Sequence, residues 1–129
     1  MKRLVMSLAA VLFASVPLVA HHSFAAVYFP NQSVSIEGEL VAFEFRAPHT
    51  WVHVMVATDD GRVLRYSAEW GGVRQLRRAG ITQDTLHPGD YVRITGNPSR
   101  EVGQPLLRLT RIERPDDGWQ WNLFRRQRR

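Results

Sequence analysis

Cysteine is absent from the 129-residue chain, and nine glycines and seven prolines are too few for a collagen-like or low-complexity scaffold. Without cysteine no disulfide framework can staple the fold, so stability has to come from an ordinary apolar core. The 44% hydrophobic share suffices for one small domain. Signatures of catalysis are missing as well: the chain has no Gly-x-Ser-x-Gly elbow, no His-Glu-x-x-His helix and no phosphate-cradling glycine loop. Asp59 and Asp60 fall together in a turn instead of facing a second carboxylate. Glu69 is the one acid expected beside the binding surface described below, and without a placed partner it is not a general base. The expectation is a protein that binds and does not catalyse.

Acidic residues are nearly as many as basic ones once the termini are set aside. Of the formal +5, Lys2 and Arg3 belong to an N-terminal leader, and Arg125, Arg126, Arg128 and Arg129 form a C-terminal run, which leaves residues 21–124 at −1. A nucleic-acid-binding domain draws most of its affinity from a basic body that neutralises phosphates, so nucleic acid is an unlikely partner. The only long apolar run is Leu4 to Val16, after Lys2 and Arg3 and before Pro17-Leu18-Val19-Ala20. Residues 1–20 read as a secretory signal peptide, cut after Ala20, and the run is too short and too interrupted for the roughly 20 residues of a spanning helix. The expected address is the bacterial periplasm.

From Val34 onward the chain alternates like strands, with turns at close intervals. A first strand is expected over 33–45, with a bulge or bend at Gly38. A second runs over 50–58, with Val52, Val54 and Val56 toward the core and Trp51, His53 and Met55 toward the other side. Asp59-Asp60-Gly61 turns the chain into a third strand over 62–69, and Val73, Leu76 and Ala79 mark a short helix stopped at Gly80. Strands over 91–96 and 105–113 follow. Three strands, a short helix and two strands is the order of a mainly all-β, five-stranded OB-like Greek-key barrel. The expected layout is therefore signal peptide 1–20, N-terminal extension 21–32, barrel 33–114 and an aromatic, Arg-rich tail 115–129.

Four sequence pieces carry a resemblance: His21-His22-Ser23-Phe24, Pro48-His49-Thr50-Trp51, Glu69-Trp70-Gly71 and Leu86-His87-Pro88-Gly89-Asp90. Their order along the chain resembles that of short exported bacterial proteins grouped as domain of unknown function 6152. Ala47 departs from the asparagine usual in that family's turn, which removes a polar contact there. The resemblance implies export and a small β-barrel, and it brings no activity with it.

Three candidate sites follow from the residues. In an OB barrel the ligand groove lies on strands 2 and 3 and the loops after strands 1 and 4, which places Arg46, His49, Trp51, His53, Arg65, Asn97 and Arg100 on a small-ligand or partner-binding face. An outward tryptophan between arginines suits stacking on a planar ligand. The second is a metal site: if cleavage leaves His21 first, its α-amine and imidazole chelate one ion together, with His22 or His49 adding a further nitrogen. Nitrogen-rich sets of this kind favour copper or nickel, so copper, or another divalent metal, is the expected cofactor of this alternative. His49 and His53 stand four residues apart on one strand, roughly 13 Å, and do not share an ion. The third is the tail, where Trp119, Trp121 and Phe124 precede Arg125, Arg126, Arg128 and Arg129, the makeup of a membrane-surface contact. The competing readings are a disordered end and a strand folded back over the barrel with its rings inward.

Overall fold

A strand of eleven residues, Val34–Glu44, is longer than one neighbour can cover, and this β1 serves two partners in succession. Its first half, Val34 to Glu39, pairs antiparallel with β4 (Tyr91–Pro98), and its second, Glu39 to Glu44, with β2 (Trp51–Ala57). These pairings come from a computed structural model that describes residues 23–124. The leader, His21, His22 and the terminal arginines Arg125, Arg126, Arg128 and Arg129 lie outside the described residues. β2 continues through a hairpin into β3 (Val63–Glu69), with Gly61 at φ 81° in the turn. β4 pairs with β5 (Leu106–Arg114), and β5 meets β3 in parallel at Ser67 to Glu69, which closes the sheet. The result is a closed five-stranded barrel in the order 1-2-3-5-4-1, the OB-like arrangement expected from the element order.

Gly38 works differently from the expected bulge. The pairing irregularity in β1 lies between Leu40 and Ala42, whereas Gly38 is buried where β1 passes from one partner to the other. A Cβ there would run into the Met55 carbonyl of β2, so the residue permits a close backbone approach. The alternation of β2 holds as read: Val52, Val54 and Val56 are buried, and Trp51, His53 and Met55 are half-buried on the opposite face. Leu40, Val92, Ile94, Leu107, Leu109 and Ile112 complete the barrel interior. Each such side chain contributes about 1.5–3 kcal/mol by leaving water.

Short elements finish the two ends. The six-residue helix between β3 and β4 spans Val73–Arg78, inserts Leu76 into the core and stops at Gly80, whose φ is 81°. Leu86 is buried just before β4, and the backbone of Leu40 bonds to both Asp90 and Gly89 at 2.8 Å, so the Leu86 to Asp90 piece fastens β1. At the N-terminus a single helical turn, Phe24–Val27, leads into Tyr28, which bridges to Ser99. This segment is stitched to the β4–β5 loop. Phe29 N–H donates to Pro98 O at 3.0 Å and Arg100 N–H to Val27 O at 2.9 Å.

The stretch expected as a tail from residue 115 contributes a sixth strand. Pro115-Asp116-Asp117-Gly118 repeats the aspartate-glycine turn chemistry of the first hairpin, and Trp119–Asn122 (β6) then pairs antiparallel with β5 outside the barrel. Trp121 meets Trp70 edge to face with centroids 5.1 Å apart, and Arg114 lies over Trp119 at 5.5 Å. Both tryptophans therefore pack on the core, while Phe124 is exposed. No helix among the described residues is long and apolar enough to cross a membrane.

Candidate functional site

The parallel closure sets Glu69 beside Arg108 in register at one end of the barrel, and the loop before β2 brings His49 to the same place. Glu69 receives two donors. Tyr28 Oη–H bonds one carboxylate oxygen and His49 Nδ1 meets the other. Because a carboxylate only accepts, His49 Nδ1 is the donor in this contact. The His49 side chain is 40% exposed and that of Glu69 only 12%, so the imidazole edge faces outward from a fixed base.

The N-terminal turn covers this group from above. The Phe24 ring stacks on the His49 ring with centroids 5.8 Å apart at 26°, and the Arg108 guanidinium lies 3.7 Å from the Phe24 centroid. Tyr28 is buried, and burial, followed by the hydrogen bond to Glu69, pushes its hydroxyl far above the ordinary tyrosine range. It stays a donor at any physiological pH. Three of the four sequence pieces that carry the family resemblance thus converge, in Phe24, His49 and Glu69.

The other expected groove residues divide into two sets. On the outer face of β2, Trp51 and His53 stack nearly parallel, 6.4 Å apart at 11°. His53 Nδ1 bonds Ser67 Oγ at 2.9 Å, and its Nε2 lies 3.3 Å from Glu44 Oε1 without hydrogen-bond geometry. Arg46 is engaged by Glu44 at 2.7 Å and, through that bond, holds the Glu44 carboxyl below its usual range. Arg65 pairs in register with Met55 one row further along and is exposed. Asn97 and Arg100 do not join this face: Asn97 Nδ2 donates to Gln32 O at 2.8 Å, and Arg100 Nε donates to Ala25 O at 2.7 Å with its guanidinium over Phe29. Their polar groups fasten the N-terminal segment. Of the metal candidates, His49 is described, and among the described residues no three histidines or acids converge as a metal site.

Two functional neighbours were not singled out from sequence. Tyr28 lies in the expected N-terminal extension, and Arg108 comes into register with Glu69 only because the barrel closes. A tyrosine beside Phe29 in the apolar stretch 24–29 is the one available signal for the first. For Arg108 the strand pattern gave none.

His53 makes a testable electrostatic point. Burial, and then the nearby Arg65 guanidinium, push its imidazole below the ordinary histidine value. The unfolded chain takes up that proton near about 6.5 and the fold resists it, so this contribution to stability is complete above about pH 6.5 and falls as pH drops below it. Arg65→Gln is expected to raise the His53 midpoint in an NMR titration and to soften the loss of thermal stability between pH 7 and pH 5. An unchanged midpoint would show that Arg65 does not act on His53.

Fold and site together define a class: a small OB-like barrel whose N-terminal turn caps a tyrosine–glutamate–histidine cluster at one end. The chain belongs to DUF6152, a family of unknown function, whose profile matches residues 9–105. No curated protein matches it. Over 64% of its length it is similar to the crystal structure of the mitochondrial single-stranded DNA-binding protein Rim1 of S. cerevisiae, covering 91% of that chain at 14% identity with a TM-score of 0.47.

Proposed function

We propose that the protein is an exported, periplasmic binding module that performs no bond chemistry and takes a divalent metal ion, copper foremost, at the His49 end of its barrel. The observation that carries this reading is the fixed imidazole: Nδ1 is tied to Glu69, Glu69 is tied to Tyr28, and the His49 side chain is 40% exposed. An imidazole whose other nitrogen donates to a carboxylate is the arrangement that orients metal-ligating histidines and raises their basicity.

His49 supplies one nitrogen, and the chain itself can supply more. Phe24 lies on the His49 ring, and His22 and His21 precede it by two and three residues. At about 3.3–3.6 Å per residue, a stretch of two or three residues spans at most roughly 11 Å. With the leader removed after Ala20, His21 offers an amine and an imidazole to one ion, and the resulting all-nitrogen set matches Cu(II) better than Ca(II) or Mg(II). Copper titration of the mature protein beginning at His21 is expected to saturate at one ion per chain. The same protein with one extra residue before His21 should bind far more weakly. Equal binding by both forms would remove the N-terminal amine from the site.

The Trp51 and His53 stack supports a second reading, a planar small ligand on the β2 face between Arg46 and Arg65. The half-buried Trp51 ring, held parallel to the largely covered His53 ring, presents a flat apolar surface, and neighbouring guanidiniums favour aromatic partners. Under this reading, Trp51→Ala abolishes binding of an aromatic carboxylate such as benzoate and leaves the melting curve in place. A Trp51→Ala protein that unfolds instead would assign the ring to the core.

A further inference from the structure

We infer a second binding site, independent of the metal reading, in the groove between the Pro48 turn and the helix Val73–Arg78, and assign it to an organic anion that carries a carboxylate or phosphate on an apolar body. The groove is wide open to solvent and has a volume of about 670 Å³, within the range of small-molecule sites. Its floor is apolar, formed by Pro48, Gly72 and Val73, and its rim carries Arg74, Arg77 and Arg78.

Three features of the rim point to an anion. Positions 74, 77 and 78 are spaced i, i+3 and i+4, so the guanidiniums share one helical face while Leu76 is buried in the core. None of the three makes an ion pair or a side-chain hydrogen bond among the described residues, whereas Arg46, Arg62, Arg93, Arg111 and Arg114 are all paired. Unpaired planar forks at this spacing match the bidentate geometry of carboxylate and phosphate. Arg77 lies 5.7 Å from the Phe45 ring centroid, and that contact steadies the middle of the row.

The rest of the chain is a poor occupant. With the leader removed, the C-terminal end outside the described residues carries Arg125, Arg126, Arg128 and Arg129, which have the same charge as the rim. An apolar floor adds a requirement that a simple ion does not meet, because it favours alkyl surface that leaves water there. The ligand therefore needs both an anionic head and an apolar tail.

Monomeric octyl phosphate, used below its micelle-forming concentration, is a suitable probe for calorimetry with the mature protein. It is expected to bind once per chain and at least tenfold more tightly than inorganic phosphate, with amide shifts confined to residues 47–48 and 72–78 in NMR. Arg74→Gln with Arg78→Gln should weaken it at least tenfold. The control pair Arg62→Gln with Arg93→Gln removes the same charge elsewhere and should leave it unchanged. Val73→Asp, a carboxylate on the floor, should also abolish binding in a protein whose melting curve is retained. Equal affinity for inorganic phosphate would overturn the apolar half of the assignment. Equal losses in the two arginine pairs would overturn the site, reducing the effect to net charge.

Discussion

Glu69→Ala is expected to lower Cu(II) affinity roughly 10- to 100-fold, the usual consequence of removing the group that orients a ligating histidine. It should also destabilise the fold by about 1–3 kcal/mol, because the buried Tyr28 hydroxyl loses its acceptor and stays desolvated. The two effects have one origin, since the carboxylate accepts from Tyr28 on one oxygen and from His49 on the other. Tyr28→Phe separates them. It leaves the His49 contact in place, so copper affinity should change little, while the largely buried Glu69 oxygen loses its donor and the fold is destabilised by about 1–3 kcal/mol. Copper titration and thermal unfolding of both variants check the prediction, and a Glu69→Ala protein that binds copper like the parent would detach Glu69 from the metal reading.

Val54→Asp is expected to prevent folding, while Met55→Asp, one residue along the same strand, should leave the melting curve nearly in place. Val54 is fully enclosed between Leu40 of β1 and Tyr66 of β3 in register, and a carboxylate there has no partner. Its cost of several kcal/mol is large against the roughly 5–15 kcal/mol that holds a whole domain together. Met55 faces outward, where a carboxylate stays hydrated. Circular dichroism of the pair is decisive, because equal behaviour would mean that the strand has no inner and outer face.

That two-residue period is also why the barrel was legible in the sequence. β2 carries it without interruption, Asp59-Asp60-Gly61 marks the hairpin, and Gly80 marks the end of the helix. β6 was less legible: four residues, Trp119 to Asn122, are too few to establish a period, and aromatics beside arginines resemble a surface anchor as much as a strand. Gly38 was recognised as special for a reason the sequence could not supply, because the Met55 carbonyl it accommodates arrives from another strand.

The site was half legible. His49 stood out through its turn and Glu69 through its position at a strand end, but their meeting depends on the path of the loop between Glu44 and Trp51. Tyr28 and Arg108 enter through long-range closure, which no local pattern encodes. Asn97 and Arg100 show the converse. Their position after the fourth strand fitted a ligand loop, while their hydrogen bonds go to the backbone carbonyls of Gln32 and Ala25.

In the proposed metal site, His49 Nε2 and the mature N-terminus hold one copper ion between them. Electron paramagnetic resonance of the Cu(II)-loaded mature protein, compared with its His49→Ala variant, tests it most directly. Nitrogen hyperfine structure from at least three nitrogens is expected in the parent and from one fewer in the variant. Identical spectra would place the copper elsewhere and leave the tyrosine–glutamate–histidine cluster as a fastening for the N-terminal turn.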